Sequence, residues 1–406
     1  MKCGLLGRKL GHSYSPQIHA QLGQYSYALF EKEPEQLEDF LKNGDFTGLN
    51  VTVPYKKAVI PYLDELSDRA AQLGAVNTVV RLDGKLIGHN TDYFGFQQML
   101  LQSGLQVSGK KVLVLGSGGA SNTAAAVLRA HGAEAIIISR TGENNYENLH
   151  LHEDAAVIVN TTPVGMYPDT EISPLDISLF PKLEGVLDVI YNPARTALLQ
   201  QAEQRGLVSM NGLLMLVAQA KEAAEWFTGS AVADEQIAQI HSTLRRQMEN
   251  IILIGMPGSG KSTVGKLLAQ QTGKQFADAD QRIVELAGKP IPQIFDEDGE
   301  AVFRHWETQA LSQLAKQSGL VIATGGGCVT REENYGILHQ NGRIFCLDRQ
   351  VNKLPTDGRP LSQAGKLADM YTIRKPLYDR FADHHIDCNG TIEAAAAQIR
   401  KIWEET

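Results

Sequence analysis

Cysteine is scarce in this chain, with four residues among 406. Cys3, Cys328, Cys346 and Cys388 are too widely scattered for a CxxC pair or a disulfide framework, which predicts reduced thiols in a cytosolic protein. Long apolar runs are missing as well. None approaches the roughly 20 residues that span a bilayer, and the opening MKCGLLGRKLGHS lacks the sustained apolar stretch of a signal peptide. The expectation is a cytoplasmic protein with no membrane partner. Positive charge is in deficit, 38 Lys and Arg against 46 Asp and Glu, for a net charge of −8. That balance creates no general field for nucleic acid or anionic lipid, so anionic ligands must be small and held by local positive sites. Internal repeats, low-complexity tracts and Pro- or Ser-rich linkers are absent. Histidines such as His12, His19 and His89 do not have the spacing of a metal site.

What is present is an ordinary globular composition, 43% hydrophobic and 21% charged, in a chain long enough for two or three domains. Short apolar runs alternate with stretches of helical period: KKVLVLG, TAAAVLRA, AIIIS, AAVIVN and GVLDVIY, then NIILIG, STVGKLLAQ, LVIATG and RIFCLD. This is the pattern of βαβ units with parallel sheets, and it occurs at least twice. A third sheet-like region occupies residues 1–100, with turn signals at Asn43-Gly44 and Asp83-Gly84. From Asn211 to about Met248 the chain reads as helical, interrupted near Thr228-Gly229-Ser230. A second nucleotide module then begins at Asn250, directly after a helix.

Two glycine-rich loops each follow an apolar strand and open a helix. In VLVLGSGGASNT, Gly116 allows a sharp turn, and Gly118 and Gly119 let backbone amides approach a pyrophosphate. At the end of the next strand, where NAD binders present Asp or Glu to the ribose, this chain offers Ser139, Arg140 and Thr141. A guanidinium there suits the extra phosphate of NADP.

Ketone reduction by a nicotinamide needs a proton donor at the carbonyl oxygen and groups that fix the substrate. Residues 1–100 supply candidates: Ser13 and Ser15, Thr52 and Lys56, Asn77, and Asp92. Lys56 lies just past a short apolar strand. Asp92 stands at the start of a helix whose positive end favours the carboxylate, so Lys56 and Asp92 form a plausible proton shuttle.

The second loop, GMPGSGKST from Gly255 to Thr263, matches the GxxxxGK[ST] phosphate loop in its strand–loop–helix setting. The amides of Gly258, Ser259, Gly260 and Thr263 would cradle ATP phosphates. Lys261 would neutralise charge, and Ser262 would place its hydroxyl on Mg²⁺. FADADQRI puts Asp278 and Asp280 two apart on an extended segment, one to act through magnesium and one to accept a substrate hydroxyl proton. Glycines 325–327 follow a strand and permit close approach of a ligand; Arg304, Arg359 and Arg374 are candidate anion ligands.

With NTTPVGM, DVIYNP and NGLLMLVAQA added to these segments, residues 1–249 resemble the shikimate dehydrogenase family. The phosphate loop, the Asp-x-Asp pair, FRHWE, TGGG, GRPL and RKPLY make residues 250–406 resemble shikimate kinase. The resemblance implies NADPH-dependent reduction of 3-dehydroshikimate to shikimate, then ATP- and Mg²⁺-dependent phosphorylation at the 3-hydroxyl. It implies three α/β parts: a substrate-binding catalytic domain from 1–101 and 211–249, a Rossmann-like NADP-binding domain from 102–210, and a P-loop nucleoside-kinase-like domain with a parallel sheet from 250–406.

In the first half, Ser13 and Ser15 would bind the carboxylate, and Thr52, Asn77 and Gln219 the ring oxygens, with Tyr191 nearby. Lys56 and Asp92 would be catalytic. Gly116, Gly118, Gly119 and Ala120 would hold the pyrophosphate, Arg140 the 2′-phosphate, and Gly212 and Met215 would border the nicotinamide. In the second, Arg304 and Arg374 would grip the carboxylate, Asp280 the hydroxyls, Gly326 and Gly327 the ring, and Arg359 the transferring phosphoryl. The family often has Asn before the Arg-Thr pair and a basic residue after it. Ser139 and Gly142-Glu143-Asn144 here point to a weaker NADP preference. Two alternatives stay open: a first half that takes quinate or NAD, and a half retained only for binding. Monomer and homodimer are both compatible with the sequence.

Overall fold

The computed structural model describes residues 1–11, 13–354 and 364–405, with side chains omitted at 364–366. Arg359 and the whole GRPL element lie outside the described residues, as does His12. The apolar runs become strands of three sheets. The first holds β1 (Lys2–Gly7), β2 (Ser26–Glu31), β3 (Gly48–Val51), β4 (Glu65–Leu66), β5 (Thr78–Leu82) and β6 (Lys85–His89), in the order β2-β1-β3-β5-β6-β4. It is mixed: β1 runs parallel to β2 and β3, whereas β5 is antiparallel to β3 and β6. Asp83 and Gly84 turn the β5–β6 hairpin with φ of 50° and 81°, the pair of left-handed residues that matches strand twist.

The second sheet is wholly parallel, β7 (Lys111–Leu115), β8 (Glu134–Ile138), β9 (Val157–Asn160), β10 (Gly185–Asp188) and β11 (Val208–Met210), ordered β11-β10-β9-β7-β8. The strand order reverses at β7, so a crevice opens at the carboxyl ends where the Gly116 loop emerges. The third sheet, also parallel, contains β12 (Asn250–Ile254), β13 (Gln275–Asp278), β14 (Leu320–Ala323), β15 (Gly342–Asp348) and β16 (His384–Asp387), ordered β13-β14-β12-β15-β16. β12 is buried on both faces. Ile251 and Leu253 pack one way, Ile252 and Ile254 the other, which is why its sequence is continuously apolar instead of alternating.

The chain packs as two units, the first comprising Met1–Met166, Ile172–Tyr191 and Leu198–Thr243, the second Tyr167–Glu171, Asn192–Ala197 and Leu244–Thr406. The second unit thus begins inside the helix Glu235–Met248 and takes in two earlier stretches of chain. Within it, Ala194 N donates to Asn341 Oδ1 at 2.8 Å, and Arg195 Nη1 to the His339 carbonyl at 3.0 Å. Among the described residues no helix is long and apolar enough to cross a membrane. All four cysteines are buried and unbridged.

Candidate active sites

In the first unit, β3 ends at Val51, and a one-turn helix, Tyr55–Ala58, carries Lys56. Buried Tyr55 anchors that turn, and the Lys56 carbonyl accepts from Val76 N at 2.8 Å. The fixed backbone leaves the side chain to reach Asp92, the first residue of the helix Asp92–Ser103. Lys56 Nζ donates to Asp92 Oδ2 at 2.6 Å, with side chains 23% and 10% exposed. The pair is sheltered enough to be strong yet open on one side. Asn77 is buried beside it, donating to Thr91 Oγ1 at 3.0 Å and Gln219 Oε1 at 3.3 Å, while Thr91 N donates to Asn77 Oδ1 at 2.7 Å. Gln219 reaches this point because a Cβ on Gly95 would lie 2.6 Å from the Met215 carbonyl. Only glycine lets the helices Asp92–Ser103 and Leu213–Thr228 approach so closely.

Beneath these groups runs a chain that the sequence reading missed. Tyr27 OH donates to Asn50 Oδ1 at 2.7 Å, Asn50 Nδ2 to Thr78 Oγ1 at 3.3 Å, and the Thr78 and Thr91 hydroxyls lie 3.2 Å apart. Ser15 N donates to Ser13 Oγ at 3.2 Å, which ties those two residues together at the start of the helix Ser15–Leu22. Adjacent Tyr14 meets Tyr191 edge-on, centroids 6.2 Å apart, so Tyr191 joins the serine segment. Burial raises the pKa of the Tyr191 phenol. Thr52 is half-buried just after β3 and anchored through its N–H to the Leu6 carbonyl.

At the dinucleotide loop, Gly116 has φ of +115° and Ser121 Oγ donates to its carbonyl at 2.7 Å. Gly118 caps the helix Gly119–Ala130 without a side-chain cap, so the amides around Gly119 and Ala120 form an anion-binding end. Arg140 is exposed just beyond β8, and no carboxylate occupies the place where a ribose-binding acid would stand. Gly212 caps the helix Leu213–Thr228, and Met215 on that helix packs into the core under this sheet.

In the second unit the loop after β12 is held open by Gly255, Gly258 and Gly260 at φ of 137°, 83° and 102°. Lys261 is buried, its ammonium donating to the carbonyls of Gly255 at 2.8 Å and Met256 at 3.0 Å. Ser259 Oγ is buried in the loop and has no hydrogen-bond partner among the described residues, a donor suited to a phosphate oxygen. Ser262 and Thr263 are exposed on the following turn, and Ser262 Oγ donates to Asp278 Oδ2 at 2.8 Å. A hydroxyl and a carboxylate so placed are hard oxygen donors fit for Mg²⁺.

The extended placement holds for Asp278 but needs correction for Asp280. Asp278 ends β13 and caps the helix Ala279–Ala287 by accepting from Asp280 N at 3.0 Å, so Asp280 is helical. Asp is among the preferred N-caps, and this preference overrode the extended pattern.

A cavity of about 690 Å³ connects that loop to Asp280, Arg304, Glu307, Gly325, Gly326, Gly327 and Arg374. Arg304 donates from Nη1 to Glu307 at 2.7 Å and from Nη2 to Glu300 at 2.9 Å. Glu307 was assigned no role by the sequence reading, although an Arg and a Glu three apart on one helix signal a pair. It is fully buried, which raises its carboxyl pKa against the pull of Arg304. A Cβ on Gly327 would lie 2.2 Å from Arg304 Nη1, so this glycine makes room for the protein's own guanidinium. Arg374 Nη1 donates to the Gly326 carbonyl at 3.1 Å, and Tyr378 OH donates to the same oxygen.

Fold and sites define a nicotinamide-nucleotide oxidoreductase joined to a phosphate-loop kinase. Comparison with known proteins narrows both. Residues 5–79 match the family model of the shikimate dehydrogenase substrate binding domain, and residues 257–404 that of shikimate kinase. A shikimate dehydrogenase (NADP(+)) of Clostridium perfringens is 36% identical over 265 residues, covering 60% of this chain and 97% of the relative. The structure of shikimate dehydrogenase 1 from Peptoclostridium difficile is similar at 36% identity and a TM-score of 0.56, covering 60% and 97% of the two chains. A quinate dehydrogenase from Corynebacterium glutamicum, solved with NAD, is similar at 30% identity and a TM-score of 0.54, covering 60% and 98%. The chain belongs to the shikimate dehydrogenase family and carries a shikimate kinase domain behind it, which makes it a bifunctional shikimate-pathway enzyme.

Proposed function

We propose that the first unit reduces 3-dehydroshikimate to shikimate with NADPH and that the second phosphorylates the 3-hydroxyl of shikimate with ATP and Mg²⁺. The carrying observation is that one chain holds both the Lys56–Asp92 pair at 2.6 Å and the Ser262–Asp278 pair at 2.8 Å beside a phosphate loop. We assign the substrate and catalytic parts of the dehydrogenase to 1–101 and 211–249, the dinucleotide part to 102–210, and the kinase to 250–406.

NADPH, when bound, supplies the hydride. Lys56 would give a proton to the ketone oxygen, and Asp92 holds and aims the ammonium through their 2.6 Å contact. Ser13 and Ser15 bind the carboxylate. Thr52, Asn77 and Gln219 hold the ring oxygens, and Tyr191 closes the substrate's side. Gly116, Gly118, Gly119 and Ala120 take the pyrophosphate, Arg140 the 2′-phosphate, and Gly212 and Met215 line the nicotinamide.

In the second unit ATP supplies the phosphoryl group. Asp280 accepts the hydroxyl proton, Lys261 offsets phosphate charge, and Gly258, Ser259, Gly260 and Thr263 cradle the phosphates. Ser262 and Asp278 would hold Mg²⁺. Arg304 and Arg374 take the shikimate carboxylate, and Gly326 and Gly327 border the ring. Arg359 is proposed for the phosphoryl group on sequence alone. The four buried, unbridged thiols support a reducing, cytoplasmic location.

A second reading, that the first unit also takes quinate or NAD, is supported by an exposed Arg140 with no basic neighbour at 139 or 141–144 and by the 30% identity to the NAD-bound quinate dehydrogenase. The test is a coupled assay of the whole chain with 3-dehydroshikimate, NADPH, ATP and Mg²⁺, following NADPH absorbance and ADP release separately. Both signals are expected. Failure of either one when its own substrate is supplied directly overturns that half. Comparing kcat/KM for shikimate against quinate and NADP against NAD decides between the two readings.

A further inference from the structure

Outside both sites, the carboxyl ends of β15 and β16 bring together three side chains of different donor chemistry. Cys346 and His385 are register partners on adjacent parallel strands, and Asp348, two residues beyond Cys346, faces the same side. Cys346 Sγ lies 3.6 Å from Asp348 Oδ1, and His385 Nδ1 lies 2.8 Å from Asp348 Oδ2. One donor atom from each of the three falls within 4.8 Å of the others.

A tetrahedral zinc ion, with bonds of about 2.0–2.3 Å, sets its ligand atoms roughly 3.3–3.8 Å apart. The sulfur–carboxylate spacing already falls in that window, and the imidazole nitrogen, now hydrogen-bonded to Asp348 at 2.8 Å, lies within 4.8 Å of the sulfur. A second observation points the same way. Asp379 Oδ1, from the helix Ala364–Phe381, lies 3.5 Å from the other ring nitrogen, His385 Nε2. Metal-bound histidines characteristically give that second N–H to a carboxylate, which turns the remaining lone pair toward the ion. Lys375 in turn pairs with Asp379 at 2.9 Å and fixes its orientation.

We propose that Cys346, Asp348 and His385 form a binding site for a divalent ion of the zinc class, with Asp379 as the carboxylate that orients the histidine. As the sulfur–metal bond forms, the Cys346 thiol releases its proton to solvent, so charge and atoms balance without any redox partner. The thiolate and imidazole make the site selective against Mg²⁺, which prefers oxygen ligands, and so separate it from the Ser262–Asp278 pair. Its place in the fold gives such an ion something to act on. Cys346 pairs in register with Ile254, the residue before Gly255 of the phosphate loop, and Asp348 is followed by Arg349, which lines the kinase cavity. The cluster has no signature along the chain, because 37 positions separate Asp348 from His385 and only strand pairing unites them.

The experiment is a Co²⁺ titration of the whole chain, stripped with chelator and held in excess Mg²⁺, followed by absorbance. The expected result is a thiolate-to-cobalt charge-transfer band with the intense visible bands of four-coordinate cobalt, saturating at one ion per chain and bleached by one equivalent of Zn²⁺. Cys346→Ser removes the charge-transfer band. His385→Gln, at a partly exposed position where folding is not at stake, weakens cobalt binding at least about 10-fold. Absence of the band from the wild-type chain, or a band that survives both substitutions and so arises from Cys3, Cys328 or Cys388, overturns the proposal and leaves a hydrogen-bonded cluster only.

Discussion

In the first unit Lys56 and Asp92 face each other at 2.6 Å, already in the arrangement a proton donor needs, with Asn77, Thr91 and Gln219 locked around them. In the second, the corresponding charges are engaged with the protein itself. Lys261 is turned back on its own loop carbonyls, and Arg304 is shared between Glu300 and Glu307. On the proposed function the reacting group at the first site is a neutral ketone that needs only a poised donor, whereas the transferred group at the second is a charged phosphate that would draw Lys261 from its internal partners. On that reading the first site is preorganised for its reaction, and the second would exchange contacts as it fills. The two arrangements thus predict different responses to mutation in the two units.

The largest expected effect separates the units outright. Lys261→Ala is expected to lower kinase kcat/KM at least about 10³-fold, since it removes a charge that phosphoryl transfer develops against, and to leave NADPH oxidation unchanged. Lys56→Ala is expected to lower dehydrogenase kcat about 10²- to 10⁴-fold, the range for a general acid, with KM little changed and kinase activity intact. Assaying both reactions on each variant makes the check; loss of both activities from either substitution would show that the sites are not independent.

Next in size is cofactor choice. Arg140→Ala is expected to reduce the NADPH-to-NADH ratio of kcat/KM about 10- to 100-fold, the worth of a hydrogen bond to a charged group. An unchanged ratio would remove Arg140 from the 2′-phosphate site. Smaller still is the effect of Glu300→Ala. Glu300 is 60% exposed and holds Arg304 through a single oxygen, which accepts from Nε and Nη2, so releasing it is expected to lower the KM for shikimate by no more than about 5-fold while kcat stays constant. A raised KM would mean that Glu300 aims the guanidinium instead of competing for it.

Much of each site was legible because phosphate binding and proton transfer constrain neighbours in sequence. Gly255 to Thr263 announces itself through backbone geometry, and Asp92 through its place at a helix start. What could not be read were partners joined only by packing. Thr91, Asn50 and Tyr27 carry no signal in sequence and meet because β2, β3, β5 and the residue that caps the helix after β6 converge. Glu307 matters because the core closes over it, a fact of burial that a helix pattern does not carry. The three parallel or mixed sheets were visible as apolar runs, but their strand orders depend on crossover connections that hydrophobic period does not encode. Asp280 was misplaced because an aspartate at a strand end, here Asp278, reads the same whether the chain beyond it continues extended or is capped into a helix.

Acid should discriminate between the units by a route separate from catalysis. In the first unit His19 is buried against Tyr27, centroids 4.1 Å apart, and His89 is stacked on Trp226 at 3.7 Å with neither ring nitrogen partnered among the described residues. Burial lowers their pKa values to about 3 and about 4, against 6.5 when unfolded. Between those limits the unfolded chain binds protons that the folded unit refuses, so their contribution is fully present above pH 6.5 and is lost as pH falls toward 4. The slope approaches about 1.4 kcal/mol per pH unit for each histidine once the unfolded form is fully protonated. Thermal melts from pH 7.5 to 4.5, with loss of dehydrogenase and kinase activity followed separately, are expected to show the dehydrogenase failing first. His89→Phe keeps the stack on Trp226 and removes the titration, so its melting temperature is expected to fall less steeply with acid than that of the parent. A parallel fall in both proteins would mean that His89 is not what makes the first unit acid-sensitive.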